Sequence, residues 1–101
     1  MISTSTVIKT LQNNQSFLQE RYGLQSLVLF GSYARSQQKE TSDLDLLYQL
    51  AKGKTMPLMR LQNLETYLSG LLNGNKIELV SSNHVEPIID SHIQKEGIIV
   101  F

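Results

Sequence analysis

Residues 27–50 restrict the fold more than any other part of the chain. The run Leu27, Val28, Leu29, Phe30 reads as an apolar strand that breaks at Gly31-Ser32. A polar excursion follows, and a second apolar strand opens with Asp43 and Asp45, one residue apart. Side chains at i and i+2 of a strand leave the same face, so the spacing predicts both acids on one side and Leu44 and Leu46 on the other. Two carboxylates about 6 Å apart repel by about 3 kcal/mol at an effective dielectric near 20. A bridging cation reverses that sign, and an oxygen-only donor set suits a hard ion such as Mg²⁺, which completes its shell with water and substrate phosphates.

The break between the strands supplies a place for phosphates. Ser32 is expected as the N-cap of a helical turn through Tyr33, Ala34 and Arg35. Free backbone N–H groups at such a turn, approached past a glycine, form an anion site. Arg35 stands one turn further on, where it would add a charge-assisted bond to a phosphate oxygen.

With ten residues between Ser32 and Asp43, the pattern Gly31-Ser32 … Asp43-Leu44-Asp45 resembles the signature of the polymerase-beta-like nucleotidyltransferase superfamily. More narrowly, Leu29-Phe30-Gly31-Ser32-Tyr33-Ala34-Arg35 and the later Ser42-Asp43-Leu44-Asp45-Leu46-Leu47 are similar to the minimal nucleotidyltransferase (MNT) domain, the antitoxin half of HEPN/MNT toxin–antitoxin pairs. Residues 77–80 and 87–101 sit where that family has its third acidic strand and its last helix and strand.

The resemblance implies one domain over residues 1–101 and ATP as substrate. It also implies two Mg²⁺ ions held by Asp43, Asp45 and Glu78, with Gly31, Ser32 and Arg35 on the phosphates. The partner implied is a HEPN ribonuclease toxin, in a hetero-oligomer, with AMP transferred to a tyrosine hydroxyl of that toxin. Two departures stand out: Glu78 replaces the more usual aspartate, and Ser36 replaces a glycine that often follows the arginine. Glutamate is one methylene longer, and a displacement of about 1 Å at a reacting centre can cost a hundredfold in rate. A binding-only antitoxin with a decayed site is therefore the alternative, and a small-molecule transferase the second rival.

The rest of the chain sets bounds. A length of 101 residues permits one modest core and leaves no room for a separate acceptor domain. Zero net charge gives no electrostatic footprint for duplex nucleic acid. The lack of cysteine fits a reducing cytoplasm. No apolar run reaches membrane-span length, and the polar start is not a secretory signal.

Residues 4–22 are expected as one amphipathic helix carrying Val7, Ile8, Leu11, Leu18 and Tyr22 inward and ended by Gly23. A second helix starts at Thr55 or Pro57, with Leu58, Leu61, Leu64, Leu68, Leu71 and Leu72 on its stripe, and stops at Gly74. A third strand covers residues 76–81. A last helix over residues 83–96 presents Val85, Ile88, Ile89 and Ile93 inward, and a closing strand spans residues 98–101. Lys52 and Lys54 read as solvated linker residues, and His84 and His92 as structural or exposed. The order implies an α/β (α+β) fold: a small mixed sheet of about four strands with helices packed on one side.

Overall fold

The computed structural model describes residues 2–101. Its order is α1 (Thr4–Asn13), α2 (Gln15–Tyr22), β1 (Leu24–Phe30), β2 (Leu44–Leu50), α3 (Leu58–Leu71), β3 (Ile77–Ser81), α4 (Pro87–Glu96) and β4 (Ile98–Ile99). The strands form one mixed sheet in the order β3-β2-β1-β4. β1 runs antiparallel to β2 and β4, while β2 and β3 are parallel. A parallel pair needs a crossover, and α3 supplies it.

The expected first helix is two. Asn14 ends α1 and begins α2: its backbone N–H turns to Leu11 O at 3.1 Å, and its Nδ2 takes Thr10 O at 2.8 Å, the carbonyl an unbroken helix would have given to that N–H. Asparagine side chains compete with the backbone in this way. Asn14 Oδ1 also accepts from the Tyr67 hydroxyl at 3.0 Å, so the break is tied to α3. Gly23 ends α2 in the left-handed conformation, as its position predicts.

Period-2 alternation gives the sheet two unlike faces. Leu27 and Leu29 of β1, Leu44, Leu46 and Tyr48 of β2 and Ile77 of β3 join Val7, Leu11, Leu18, Leu64, Leu68 and Leu72 in one continuous core. Phe30 and Ile93 are also buried, yet stand outside that cluster. Gly97, which follows α4, lies between Ile93 and Val28, and Val28 alternates with Leu27 and Leu29, so the end of α4 packs on the opposite face. The helices therefore do not all lie on one side: Val28 is half-buried on the other face, at the end of α4.

Two apolar assignments change as well. Leu58 and Ile88 are 68% and 73% exposed because each falls in the first turn of its helix, beyond the edge of the packed face. α4 begins at Pro87 instead of residue 83: a residue preceding proline is forced out of the helical region, and Glu86 is extended at φ −68°, ψ 147°. His84 and His92 are both exposed, as expected.

Candidate active site

The register brings the predicted residues together. Asp45 on β2 is paired with Phe30 on β1 and with Glu78 on β3, so one carboxylate strand position is flanked by the residue before Gly31 and by the third acid. Asp45 and Glu78 leave the face opposite to the buried Leu44, Leu46 and Ile77. Asp43 lies one residue before β2, with Lys76 Nζ 3.9 Å from its Oδ2.

Asp45 is the hub of this cluster. Burial pushes its carboxyl up from the ordinary 3.8 to about 7, reinforced by the hydrogen bond and charge of Glu78 and by the charge of Asp43, while Arg35 pulls the other way. Among the described residues, no three His, Cys, Asp or Glu groups stand as a ready metal cage. Asp45 instead feels both other acids, Glu78 through a hydrogen bond and charge and Asp43 through charge. Their donors are all oxygen, and Mg²⁺ needs only one or two carboxylates when phosphates and water fill its shell, so the residues present fit that ion.

The glycine turn is built differently from the expectation in one respect. Ala34 and Arg35 donate their N–H groups to Gly31 O at 3.1 and 3.2 Å, which puts Gly31 and not Ser32 at the cap position. Gln37 N–H closes the turn on Ser32 O at 2.9 Å. The N–H groups of Ser32 and Tyr33 are left without a partner among the described residues, the arrangement that makes a helical first turn attract anions. Gly31 has φ +77°.

Contacts far along the chain hold this turn. Thr4 Oγ1 donates to Tyr33 O at 2.6 Å, Ser36 Oγ to Thr4 Oγ1 at 3.3 Å, and Gln38 Nε2 to Ile2 O at 3.3 Å. The polar loop is thus braced by the first turn of α1. Ser36 sits at φ +55°. Arg35 is engaged: its Nη1 donates to Glu96 Oε2 at 2.9 Å and its Nε to Gln37 Oε1 at 3.2 Å. Neither Thr4 nor Glu96 carries a local signal, since each acts on residues 29 or more positions away.

Lys54 lies at the other end of the sheet, its stem packed against Gly23. Cavities of about 300, 400 and 180 Å³ are lined by residues other than Asp43, Asp45 and Glu78. On the acidic face Glu78 is exposed and Asp43 and Asp45 are half-buried.

A mixed sheet carrying a glycine turn on one strand, an acid beside it on the next and a third acid across the parallel pair defines a nucleotidyltransferase of the polymerase-beta type. The family described as Polymerase beta, Nucleotidyltransferase matches residues 9–101, and the chain belongs to it. A relative in Methanocaldococcus jannaschii, provisionally named a protein adenylyltransferase, is 37% identical over 99% of this chain and 100% of its own length. The protein adenylyltransferase MntA of Thermococcus cleftensis is 30% identical over 99% of this chain and 98% of its own. A solved minimal nucleotidyltransferase structure superposes with TM-score 0.74 at 31% identity, covering 96% of this chain and 95% of that one. A chain from a complex of tri-AMPylated Shewanella oneidensis HEPN toxin with MNT antitoxin shares the fold, with TM-score 0.65 at 19% identity over 93% of this chain and 71% of that one.

Proposed function

We propose that this chain is the antitoxin of a HEPN/MNT pair and transfers AMP from ATP to a tyrosine hydroxyl of its cognate HEPN ribonuclease toxin. The observation that carries the reading is the position of Asp45, register-paired with both Phe30, which leads into the phosphate turn, and Glu78. The names of the relatives, protein adenylyltransferase and MntA, point to the same transfer.

In this reading the free N–H groups of Ser32 and Tyr33 and the Arg35 guanidinium bind the outer phosphates, leaving the α-phosphorus toward the acidic face. Asp43, Asp45 and Glu78 would hold two Mg²⁺ ions, which when bound supply charge neutralisation and polarisation of the reacting oxygens. The tyrosine oxygen forms a bond to the α-phosphorus, the bond from that phosphorus to the bridging oxygen breaks, and pyrophosphate leaves. A carboxylate at Asp45 or Glu78 accepts the phenolic proton. The exposure of Glu78 suits an acceptor carried on another protein surface, and the whole chain is one transferase domain working in the cytoplasm within a hetero-oligomer.

Incubating the purified pair with ATP and Mg²⁺ tests this. The toxin is expected to gain the mass of one or more AMP units on tyrosine; a toxin of unchanged mass beside a folded, nucleotide-bound antitoxin overturns it. Glutamate in the third place, Glu78, favours one other reading: neutralisation by binding alone. An Asp43→Asn, Asp45→Asn double variant separates the two, since it loses neutralisation if transfer is required and keeps it if docking suffices.

A further inference from the structure

Arg35 is fixed at two of its three nitrogens. Nη1 is held by Glu96 at 2.9 Å and Nε by Gln37 at 3.2 Å, while Nη2 has no partner among the described residues. A guanidinium is planar, so two anchored nitrogens define the direction of the third. Glu96 is itself well placed to act as an anchor. It is the last residue of α4, and the following Gly97 donates to Ile93 O at 2.7 Å and lies so close to Val28 that a Cβ there would be 3.0 Å from the Val28 side chain. Val28 belongs to β1, the strand that leads into Gly31. The carboxylate and the phosphate turn are therefore both joined to β1.

The side chains of Arg35 and Glu96 are 35% and 36% exposed. A partly exposed ion pair adds little to fold stability. Its measurable effect falls on the orientation of Arg35.

We infer that Glu96 is a positioning residue for nucleotide polyphosphate: it holds the Arg35 guanidinium at the Gly31–Ser32 turn so that Nη2 meets the outer phosphates already oriented. The inference rests on the phosphate-site reading given above and extends it to a residue 61 positions away from Arg35. Preorganisation of this kind lowers the ordering cost of binding and leaves the transfer step alone.

The test is calorimetric binding of AMP-PNP with Mg²⁺ to the full chain, together with the NMR signal of the Arg35 Nε–H. Glu96→Ala is expected to weaken AMP-PNP about threefold to tenfold, leave adenosine binding unchanged and broaden the Nε–H signal. Glu96→Gln keeps an acceptor for Nη1 and is expected to restore most of the affinity. Adding Glu96→Ala to Arg35→Ala is expected to cost nothing further. AMP-PNP binding that is unaffected or tightened by Glu96→Ala, or weakened equally in the Arg35→Ala background, overturns the inference while the phosphate site stands. A wild-type chain with an ordered Nε–H signal and no AMP-PNP binding overturns the phosphate site and the inference with it.

Discussion

Gly31 and Asp45 meet where only glycine leaves room: a Cβ at residue 31 would collide with Asp45 Oδ2 and stand 3.2 Å from its Cγ. The turn that offers N–H groups to phosphate and the carboxylate at the centre of the acidic cluster are thus in van der Waals contact. Space and backbone conformation make the same demand, because Gly31 also has φ +77°.

Gly31→Ala is therefore expected to fail twice. The left-handed backbone costs an alanine about 1–2 kcal/mol, visible in urea denaturation. The Asp45 carboxylate is pushed off its position, and AMP transfer is expected to fall on the order of a hundredfold, beyond what the stability loss alone produces.

The Asp45 carboxyl gives the nucleotide-free protein a defined pH dependence. Its value is about 7 in the folded chain against 3.8 ordinarily, so between these limits the folded state holds a proton that the unfolded state has lost. Stability from this group is then expected to decline as pH rises from about 4 to about 7 and to level off above that. Asp45→Asn flattens this segment of the curve and raises the melting temperature at pH 8. Saturating Mg²⁺ with AMP-PNP has the same direction in the wild-type chain, about 2.7 kcal/mol at a hundred times Kd, and EDTA removes the metal's share.

Tyr33 is 1% exposed, and its hydroxyl has no hydrogen-bond partner among the described residues. Tyr33→Phe keeps the packed ring and deletes an unsatisfied group, so stability is expected to be unchanged or raised by up to about 1 kcal/mol. A loss of stability in denaturant titration contradicts this.

Ser36 pays for its left-handed conformation, φ +55°, with one 3.3 Å bond to Thr4. Ser36→Gly relieves the backbone at some cost in unfolded-chain entropy, for a net gain of about 0.5 kcal/mol. Ser36→Ala keeps the strain, loses the bond and is expected to melt below both. Thermal denaturation of the three proteins gives the order.

Much of the architecture is legible along the chain because it depends on neighbours in sequence. The alternation of Leu44, Asp45, Leu46 sets which face is acidic and Gly23 ends a helix by its φ, whereas the start of α4, expected at residue 83, falls at Pro87 because the residue before proline is kept extended. The break at Asn14 had a local signal, an asparagine able to take Thr10 O, and only its tie to the Tyr67 hydroxyl, 53 residues away, lay beyond the reach of the local sequence. Packing of α4 on the second face was hidden for a similar reason: the hydrophobicity of Phe30 and Ile93 shows that they are buried, and says nothing about against what.

By itself the sequence determined the strand–turn–strand frame, the shared face of Asp43 and Asp45 and the glycine between strand and turn, since local φ preferences and period-2 alternation act within a few residues. Only the tertiary structure decided that Glu78 stands beside Asp45, that Thr4 braces the turn and that Glu96 holds Arg35. Strand order and the docking of helix ends are chosen by burial summed over the whole sheet, a quantity that no short segment contains.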